Sequence, residues 1–190
     1  MTQDDVLKIF KDNNALLEGH FKLSSGLHIG QYLQCALLLQ YPDMAARLCA
    51  GLAKEFKNKK VTAVIGPALG GVVVSYEVAR SLGARSLFAE RDAAGAMVLR
   101  RGFSIDKSDS VLLVEDVVTT GGSLLELVDI VKASGARLVG VAVLIDRSAG
   151  SASFGVPFTA LAKIDIKAYS ESDCPFCKQG VPIVKPGSKK

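Results

Sequence analysis

The stretch VLLVEDVVTTGGSLLELV, residues 111–128, decides the fold of this chain. Four apolar residues lead into two adjacent carboxylates, Glu115 and Asp116, and a turn of Thr and Gly residues then leads into a helix-like pattern. A continuous apolar run of this kind is typical of a parallel strand that is buried on both faces. The stretch therefore predicts a strand that ends in acidic side chains and turns directly into a helix.

Three other apolar runs have the same character: VTAVIG from residue 61, SLFAE from residue 86 and RLVGVAVLID from residue 137. Helical patterns lie between the runs, at about 71–82 and 122–134. Strands that alternate with helices predict an α/β fold with a doubly wound, mainly parallel sheet. Because ligands of such sheets bind beyond the carboxyl ends of the strands, we expect the chemistry in the loops that follow these runs.

The length of 190 residues suits one domain with one hydrophobic core. A first helix is expected from residue 2 to about residue 13, with Thr2 as its cap. We expect the core at about 41–154. A small hood over the sheet edge is expected from the N-terminal segment, about 1–40, and the C-terminal region, about 155–190.

The composition disfavours several functional classes. The formal charge is +4, from 23 Lys and Arg against 19 Asp and Glu, and the basic residues are dispersed without interleaved aromatic residues. This pattern disfavours a nucleic-acid partner and leaves small anions as natural ligands. The N-terminus is acidic, and no apolar run reaches the roughly 18 residues of a membrane span. We therefore predict a cytoplasmic protein with no membrane partner.

The turn at 119–123 has the features of a phosphate site. Successive backbone N–H groups at the start of a helix attract an anion, and the glycines let the backbone approach it closely. Glu115 and Asp116 would repel a phosphate, so they must serve another part of the same ligand, such as sugar hydroxyls or a magnesium ion. The stretch predicts a sugar phosphate site, with an ordinary capped turn as the alternative.

The segment VLLVEDVVTTGGS resembles the binding motif for 5-phosphoribosyl 1-diphosphate (PRPP) in the phosphoribosyltransferases. The resemblance implies a type I phosphoribosyltransferase core in which the 119–123 loop surrounds the 5-phosphate and the two acids lie near the ribose hydroxyls. It implies catalytic roles for Asp116, Glu115, Arg91 and Arg100. The PRPP-binding residues that it implies are Glu115, Asp116, Val117, Val118, Thr119, Thr120, Gly121, Gly122, Ser123, Gly70, Gly71 and Arg91.

Three further segments resemble the orotate phosphoribosyltransferases, and together with the PRPP motif they cover nearly the whole chain. GHFKLSSGLHIGQYLQC at 19–35 is similar to their hood segment, and GPALGG at 66–71 is similar to their pyrophosphate loop. LIDRSAG carries Arg147 where those enzymes hold orotate, and a guanidinium suits its carboxylate. The orotate-binding residues implied by the resemblance are Thr119, Arg147, Ser25 and Gly26.

The chain departs from that family at several lysines. Many orotate enzymes have lysines at positions that match Ser24 and Gly70 here, and another in a flexible catalytic loop. The matching loop, ERDAAGAMVLRRGFSIDKSD at 90–109, offers Arg91 and Arg100 instead. We predict that this loop is a mobile lid whose arginines neutralise the leaving pyrophosphate, with an ordinary solvated loop as the alternative.

The resemblance implies transfer of the phosphoribosyl group from PRPP to orotate, giving orotidine 5-monophosphate and pyrophosphate in pyrimidine synthesis. It implies Mg²⁺ that is bound largely through PRPP, and a homodimer in which the lid loop is shared between subunits. A purine phosphoribosyltransferase and a PRPP-sensing transcription regulator stay as alternatives. Arg147 and the LSSGLH segment argue against the first, and the dispersed charge argues against the second.

The four cysteines are too few and too scattered for a disulfide framework. Only CPFC at 174–177 has the spacing of a metal-binding pair, and no second such pair accompanies it. His20 and His28 are the only histidines, and we expect them to be structural or surface residues. We therefore assign no metal ligands in the chain and predict a tight turn at CPFC, with a zinc site as the alternative.

Overall fold

The computed structural model describes residues 1–23 and 25–185. Ser24, which matches a hood lysine of many orotate enzymes, and residues 186–190 lie outside the described residues. The strands are β1 (Leu16–Lys22), β2 (His28–Leu33), β3 (Ala63–Pro67), β4 (Arg85–Arg91), β5 (Met97–Leu99), β6 (Ser110–Val118), β7 (Arg137–Asp146), β8 (Phe158–Lys163) and β9 (Ala168–Tyr169). The helices are α1 (Gln3–Asp12), α2 (Ala36–Leu39), α3 (Pro42–Ala53), α4 (Gly70–Leu82), α5 (Gly122–Ser134) and α6 (Pro175–Lys178), and a 3₁₀ segment, Lys54–Lys59, follows α3.

The central sheet has six strands in the order β5-β4-β3-β6-β7-β8. All neighbouring strands are parallel except β4 and β5, which form an antiparallel pair. The prediction of an α/β fold with a doubly wound, mainly parallel sheet is confirmed. The carboxyl ends of β3, β6 and β7 meet at one edge, where the loops of the candidate site begin.

Apolar clusters cover both faces of this sheet. Val64 and Leu112 pack with α3 and α4 in one cluster, whereas their chain neighbours Ile65 and Leu113 pack with α5 in the other. Successive residues of a strand point to opposite faces, so a strand covered on both sides needs apolar residues at every position. This is why the central strands read as continuous apolar runs.

A second sheet of three strands, in the order β1-β2-β9, forms the hood. β1 and β2 are an antiparallel pair, and β9 adds to the free edge of β2. The pairing of β1 with β2 shifts between Glu18 and Phe21, which leaves two residues of β1 opposite Gly30 of β2. A bulge of this kind bends a strand and redirects a side chain, and His20 is one of the two residues that face Gly30.

The boundary between core and hood differs from the expected one at two elements. β8 was expected in the hood, but it pairs with β7 and so extends the central sheet. α1 was also expected there, but Val6 and Phe10 are fully buried in the cluster that packs on the central sheet. The sequence concealed β8 because it is an edge strand, mostly half-buried, without the long apolar run of a central strand.

Among the described residues, no helix is both long and apolar enough to cross a bilayer.

Candidate functional site

The loop between β6 and α5 has the backbone of an anion site. Gly121 has φ +80° and ψ 6°, a left-handed conformation that favours glycine, and a Cβ there would come within 3.1 Å of the Phe154 ring. α5 begins at the next residue, and no side-chain cap hydrogen bond is made by Gly121. The Gly122 amide makes only a long contact of 3.5 Å with Oγ1 of Thr120, so the start of α5 is available to a ligand anion, and the helix dipole adds positive potential there.

This loop borders an open cavity of about 280 Å³. The cavity brings together most of the residues that the sequence assigned to PRPP, and it adds Glu126 of α5, which the sequence analysis did not identify. The lining residues are Arg91, Glu115, Val117, Thr119, Thr120, Gly121, Gly122, Ser123 and Glu126.

Arg91, at the end of β4, lies at this cavity but has its charge paired. Its Nη2 and Nη1 donate to the two carboxylate oxygens of Glu126 at 2.8 and 3.0 Å, and Nη1 also donates to the carbonyl of Gly95 at 2.6 Å. The hydrogen bond with Glu126 raises the pKa of Arg91 and lowers that of Glu126. A ligand anion must therefore compete with Glu126 for this guanidinium.

Arg100 is placed differently from Arg91. Its Nε lies 3.6 Å from a carboxylate oxygen of Glu90, and Arg101 donates to the other oxygen at 2.9 Å. Of the two predicted lid arginines, the structure brings Arg91 to the cavity of its own chain and holds Arg100 on Glu90.

The two carboxylates at the end of β6 are largely removed from water. Burial raises the pKa of Glu115 to about 7, and the charge of Asp116 beside it adds to the shift. Burial also raises the pKa of Asp116, against the lowering effect of the Val117 amide, which donates to its Oδ1 at 3.0 Å. A hydrogen bond from the Cys35 thiol also lowers it. Glu115 can therefore exchange a proton near neutral pH, whereas hydrogen-bond donors hold the carboxylate of Asp116 in place.

The carboxylate of Asp116 packs directly against Gly70, the first residue of α4. A Cβ on Gly70 would lie 2.5 Å from Cγ of Asp116, and a Cβ on Gly71 would lie 2.7 Å from Pro67. The loop at 66–71 and the acidic end of β6, recognised separately in the sequence, are therefore in van der Waals contact. The same contact gives a physical reason for the departure from the family, because a lysine at position 70 would collide with Asp116 in this conformation.

Arg147 follows β7 and carries a partly buried guanidinium. Its backbone amide donates to the carbonyl of Val118 at 2.8 Å, so it starts beside the last residue of β6. Burial lowers its pKa, and the nearby Cys35 and Tyr32 raise it to a smaller extent. Its Nε is buried and has no hydrogen-bond partner among the described residues. A buried donor without a partner is costly, so this group is suited to an anionic or carbonyl-bearing ligand.

Ser25 and Gly26 lie in the turn that joins β1 to β2. Gly26 has φ +87°, and its amide donates to the carbonyl of Leu23 at 3.0 Å, which closes the turn. Their role in binding orotate, like the individual roles of the other site residues, stays a prediction.

A second cluster that the sequence analysis did not assemble lies in the hood. The ligand-type atoms of His20, His28, Cys174 and Cys177 all lie within 4.8 Å of one another, and such a set could hold a metal ion. Both histidines are buried, which agrees with a structural role and excludes the surface position that was the other expectation. The only sequence signal was the CPFC spacing, because the histidines are about 150 residues away.

Comparison with known proteins gives the family. The family described as "Phosphoribosyl transferase domain" matches residues 38–153. The chain is 53% identical over 190 residues to the orotate phosphoribosyltransferase of Pelotomaculum thermopropionicum, with all of both chains covered.

Two solved structures are also similar. The orotate phosphoribosyltransferase from Aeropyrum pernix has a TM-score of 0.70 and 25% identity, over 84% of this chain and 93% of that one. The adenine phosphoribosyl transferase from Trypanosoma brucei, in complex with AMP, pyrophosphate and ribose-5-phosphate, has a TM-score of 0.64 and 22% identity, over 82% and 79%. The second likeness is one of fold alone, so the fold does not distinguish between acceptor bases.

Proposed function

This chain belongs to the phosphoribosyl transferase domain family, and we propose that it transfers the phosphoribosyl group of PRPP to orotate, giving orotidine 5-monophosphate and pyrophosphate in pyrimidine synthesis. The observation that carries the proposal is the 53% identity with an orotate phosphoribosyltransferase over the whole length of both chains. The purine enzyme and the transcription regulator are not favoured, because relatives that match the full chain at 46–53% identity carry the orotate name.

The 119–123 loop would hold the 5-phosphate of PRPP. The open amide groups at the start of α5 and the hydroxyls of Thr119, Thr120 and Ser123 supply hydrogen-bond donors on one side of the cavity. The amide donors are fixed by the backbone before the ligand arrives. The loop therefore supplies position rather than chemistry.

Glu115 and Asp116 would orient the ribose. Departure of pyrophosphate leaves positive charge on the sugar ring, as in other glycosyl transfers, so carboxylates near the ring stabilise the transition state. Asp116 is held by Gly70 and by the Val117 amide, which suits a group that must keep its position during the reaction.

The donor set also fits a magnesium ion that arrives with PRPP. Glu115 lines the cavity beside the 119–123 loop, the carboxylate of Asp116 lies against Gly70, and hard oxygen donors of this kind are what Mg²⁺ prefers. When bound, the ion would neutralise charge on the leaving pyrophosphate. The protein would add Arg91 to the same task once the pyrophosphate displaces Glu126 from its guanidinium.

Arg147 would bind the acceptor base. Its Nε is a buried donor with no partner among the described residues, and the carboxylate and carbonyl oxygens of orotate could accept a hydrogen bond from it. The β1–β2 turn with Ser25 and Gly26 would close over the base from the hood. Together these parts hold the two substrates against each other at the sheet edge.

We further propose a homodimer in which the lid is shared. Leu69, Val73 and Tyr76 are exposed at spacings of four and three residues, so they form one apolar face along α4. This face adjoins Gly70 of the candidate site and a cavity of about 250 Å³ between α2 and α4. A second copy of the chain would cover it, and Arg100, which lies away from its own cavity, would then be the lid residue available to the partner's site.

Mixing two inactive variants tests the shared site. If Arg100 acts across the dimer, then Asp116→Asn and Arg100→Ala chains, unfolded and refolded together, should regain up to about a quarter of wild-type activity, because half of the dimers carry one intact site. A mixture that stays inactive argues that each site is made by a single chain. If the Arg100→Ala variant is active by itself, Arg100 has no role in the mechanism.

We also propose a cytoplasmic location, which suits the four free thiols because a reducing compartment keeps them from pairing.

The acceptor assay tests the function itself. Purified protein is mixed with PRPP, magnesium and one of orotate, adenine, hypoxanthine, xanthine or uracil, and the release of nucleotide and pyrophosphate is followed. Conversion of orotate alone is expected. Turnover of a purine would overturn the acceptor assignment while keeping the PRPP site, and PRPP binding without turnover of any base would favour a regulator.

A further inference from the structure

Two histidines and two cysteines from opposite ends of the chain meet at the hood sheet. His20 lies in the bulge of β1 and His28 begins β2, whereas Cys174 precedes α6 and Cys177 lies within it. His20, His28 and Cys174 are buried, and Cys177 is half-buried. None of these residues takes part in the proposed reaction.

The distances within the cluster are close to those of a tetrahedral site. His20 Nε2 lies 2.9 Å from His28 Nδ1, 3.4 Å from Cys174 Sγ and 3.7 Å from Cys177 Sγ, and His28 Nδ1 lies 3.2 Å from Cys177 Sγ. Zinc bonds of about 2.0–2.1 Å to nitrogen and about 2.3 Å to sulfur place neighbouring ligand atoms about 3.3–3.8 Å apart in a tetrahedron. To reach this geometry, the shortest pairs must open by a few tenths of an ångström, and a pair at the 4.8 Å limit of the set must close by about 1 Å.

The second nitrogen of His20 already has the partner that a metal-binding histidine needs. His20 Nδ1 lies 2.8 Å from the carbonyl of Val181, which can only accept, so Nδ1 carries the proton and donates it. Nε2 then turns a lone pair toward the cluster, and the ring is held in that orientation. His28 is oriented by packing, because its Nε2 is buried without a partner among the described residues.

The backbone around the cluster is built to hold the C-terminal segment against β1. The Val184 amide donates to the carbonyl of His20 at 2.9 Å, and the Lys22 amide donates to the carbonyl of Val184 at 3.0 Å. The Phe176 ring occupies the space above Gly30, where a Cβ would lie 2.5 Å from Cζ. α6 is thereby fixed over the β1–β2 pair, with both thiols facing the histidines.

We propose that His20, His28, Cys174 and Cys177 bind one zinc ion as a structural site that ties the C-terminal segment to the hood. Soft thiolates with imidazoles in a tetrahedral arrangement select zinc, and four protein ligands leave no open position for catalysis. Ligands from both ends of the chain make the ion a clamp that closes a long loop. The site is separate from the phosphoribosyl transfer, so either proposal can fail alone.

Metal analysis of the full-length chain is the first test. Protein produced in zinc-supplemented medium and purified with a thiol reductant is dialysed against metal-free buffer, and its zinc content is measured by mass spectrometry of the elements. About one zinc per chain is expected. A chain that retains no zinc, even after reconstitution with the metal alone, would overturn the proposal, and so would a native mass two hydrogens lower, which reports a Cys174–Cys177 disulfide.

Cysteine variants assign the ligands. Cys174→Ser and Cys177→Ser should each lose at least tenfold in zinc content, whereas Cys49→Ser, at a buried cysteine of α3, should keep it. Equal zinc in all three variants would place the metal elsewhere. Because a serine variant could fail to fold, cobalt is bound to the wild-type chain as well: thiolate-to-cobalt charge transfer and intense tetrahedral bands are expected, and the weak spectrum of an octahedral oxygen site would contradict the assignment.

Chelation separates this site from the reaction. Removal of zinc should lower the Tm of the wild-type chain and of Cys49→Ser, and should leave the Tm of Cys174→Ser unchanged. Asp116→Asn, which should lower kcat/KM by about 10²–10³-fold, is expected to keep its zinc. A chelator that lowers the Tm of Cys174→Ser as much as that of the wild type would overturn the proposal.

Discussion

The phosphate loop and the hood cluster are assembled in opposite ways. The loop consists of consecutive residues, 119–123, between one strand and one helix. The cluster joins His20 to Cys174, which are 154 residues apart in the chain. A site of consecutive residues can be recognised in a sequence, because the same short segment contains both the functional groups and the residues that determine the local backbone. A site that joins the chain ends appears only when the fold brings them together.

The largest effect should come from Asp116→Asn, which tests whether the two regions are independent. Loss of a carboxylate from a preorganised site should lower kcat/KM by about 10²–10³-fold. The matched control is Asp129→Asn, on an exposed position of α5, which should stay near wild type. Loss of zinc from Asp116→Asn would show that the two regions are not independent. A kcat/KM within a few fold of the wild-type value would contradict the role of Asp116 in catalysis.

Arg147→Ala should have the next largest effect and sharpens the division of the site into two substrate regions. Loss of the guanidinium should lower kcat/KM for orotate by about 10–100-fold. The kcat/KM of Arg147→Lys should lie between those of the wild type and Arg147→Ala, because an ammonium keeps the charge but lacks the planar guanidinium fork. PRPP binding, measured by calorimetry, should change little. Arg137→Ala, at the exposed start of β7, serves as the control. Equal losses in PRPP and orotate binding would contradict this division.

Glu115→Gln tests whether the carboxylate of Glu115 is buried, because burial makes the stability of the wild type depend on pH. Burial raises the pKa of Glu115 from 4.5 to about 7, so its ionised form opposes folding. That cost is absent below pH 4.5, grows as the pH rises through about 7, and is constant above it. The variant should therefore be more stable than the wild type by about 1–3 kcal/mol at about pH 8, and equally stable near about pH 4.5.

Denaturant unfolding at the two pH values measures this difference. The exposed Glu55→Gln is the matched control and should show no pH-dependent gain. If Glu115→Gln and the wild type have the same stability at both pH values, the carboxylate of Glu115 is exposed to water rather than buried.

Glu126→Gln should have the smallest effect and concerns the lid. Removing the charge that holds Arg91 should free the guanidinium for pyrophosphate and lower the KM for PRPP by about two- to fivefold, an effect that salt reduces. Glu90→Gln, which frees Arg100 and Arg101 instead, is the comparison variant. A higher KM in Glu126→Gln would mean that the ion pair positions Arg91 for the ligand.

The fold was predictable because its central strands are covered on both faces. The runs that became β3, β6 and β7 each contain an unbroken apolar stretch, at 63–67, 111–114 and 138–145, and the helix predicted at 122–134 has the bounds of α5. The resemblance to orotate phosphoribosyltransferases, based on motifs between residues 19 and 150, is confirmed by full-length relatives. Short or half-buried elements such as β8 and β9 were not predicted, because two to six residues at a sheet edge carry no clear period.

The site was predictable only as far as its residues are neighbours in the chain. Glu115, Asp116 and the 119–123 loop come from one motif; Glu115 and the loop line one cavity, whereas Asp116 packs against Gly70. The Glu126 pair of Arg91 and the Cys35 contact of Asp116 depend on how α5 and the hood are seated, and nothing in their sequence surroundings marks them. The histidines gave no signal because an isolated His has many structural uses.

The carboxylate of Asp116 occupies the space that a side chain at position 70 would need, and this limits which substitutions the chain can accept. A larger residue at position 70 requires the carboxylate at position 116 to turn away, which would move a group that we propose orients the ribose. The two positions therefore cannot drift independently, and a lineage that gains a lysine at 70 must alter the path of the 66–71 loop in the same step or soon after. Engineers who graft the lysine alone should expect an epistatic penalty.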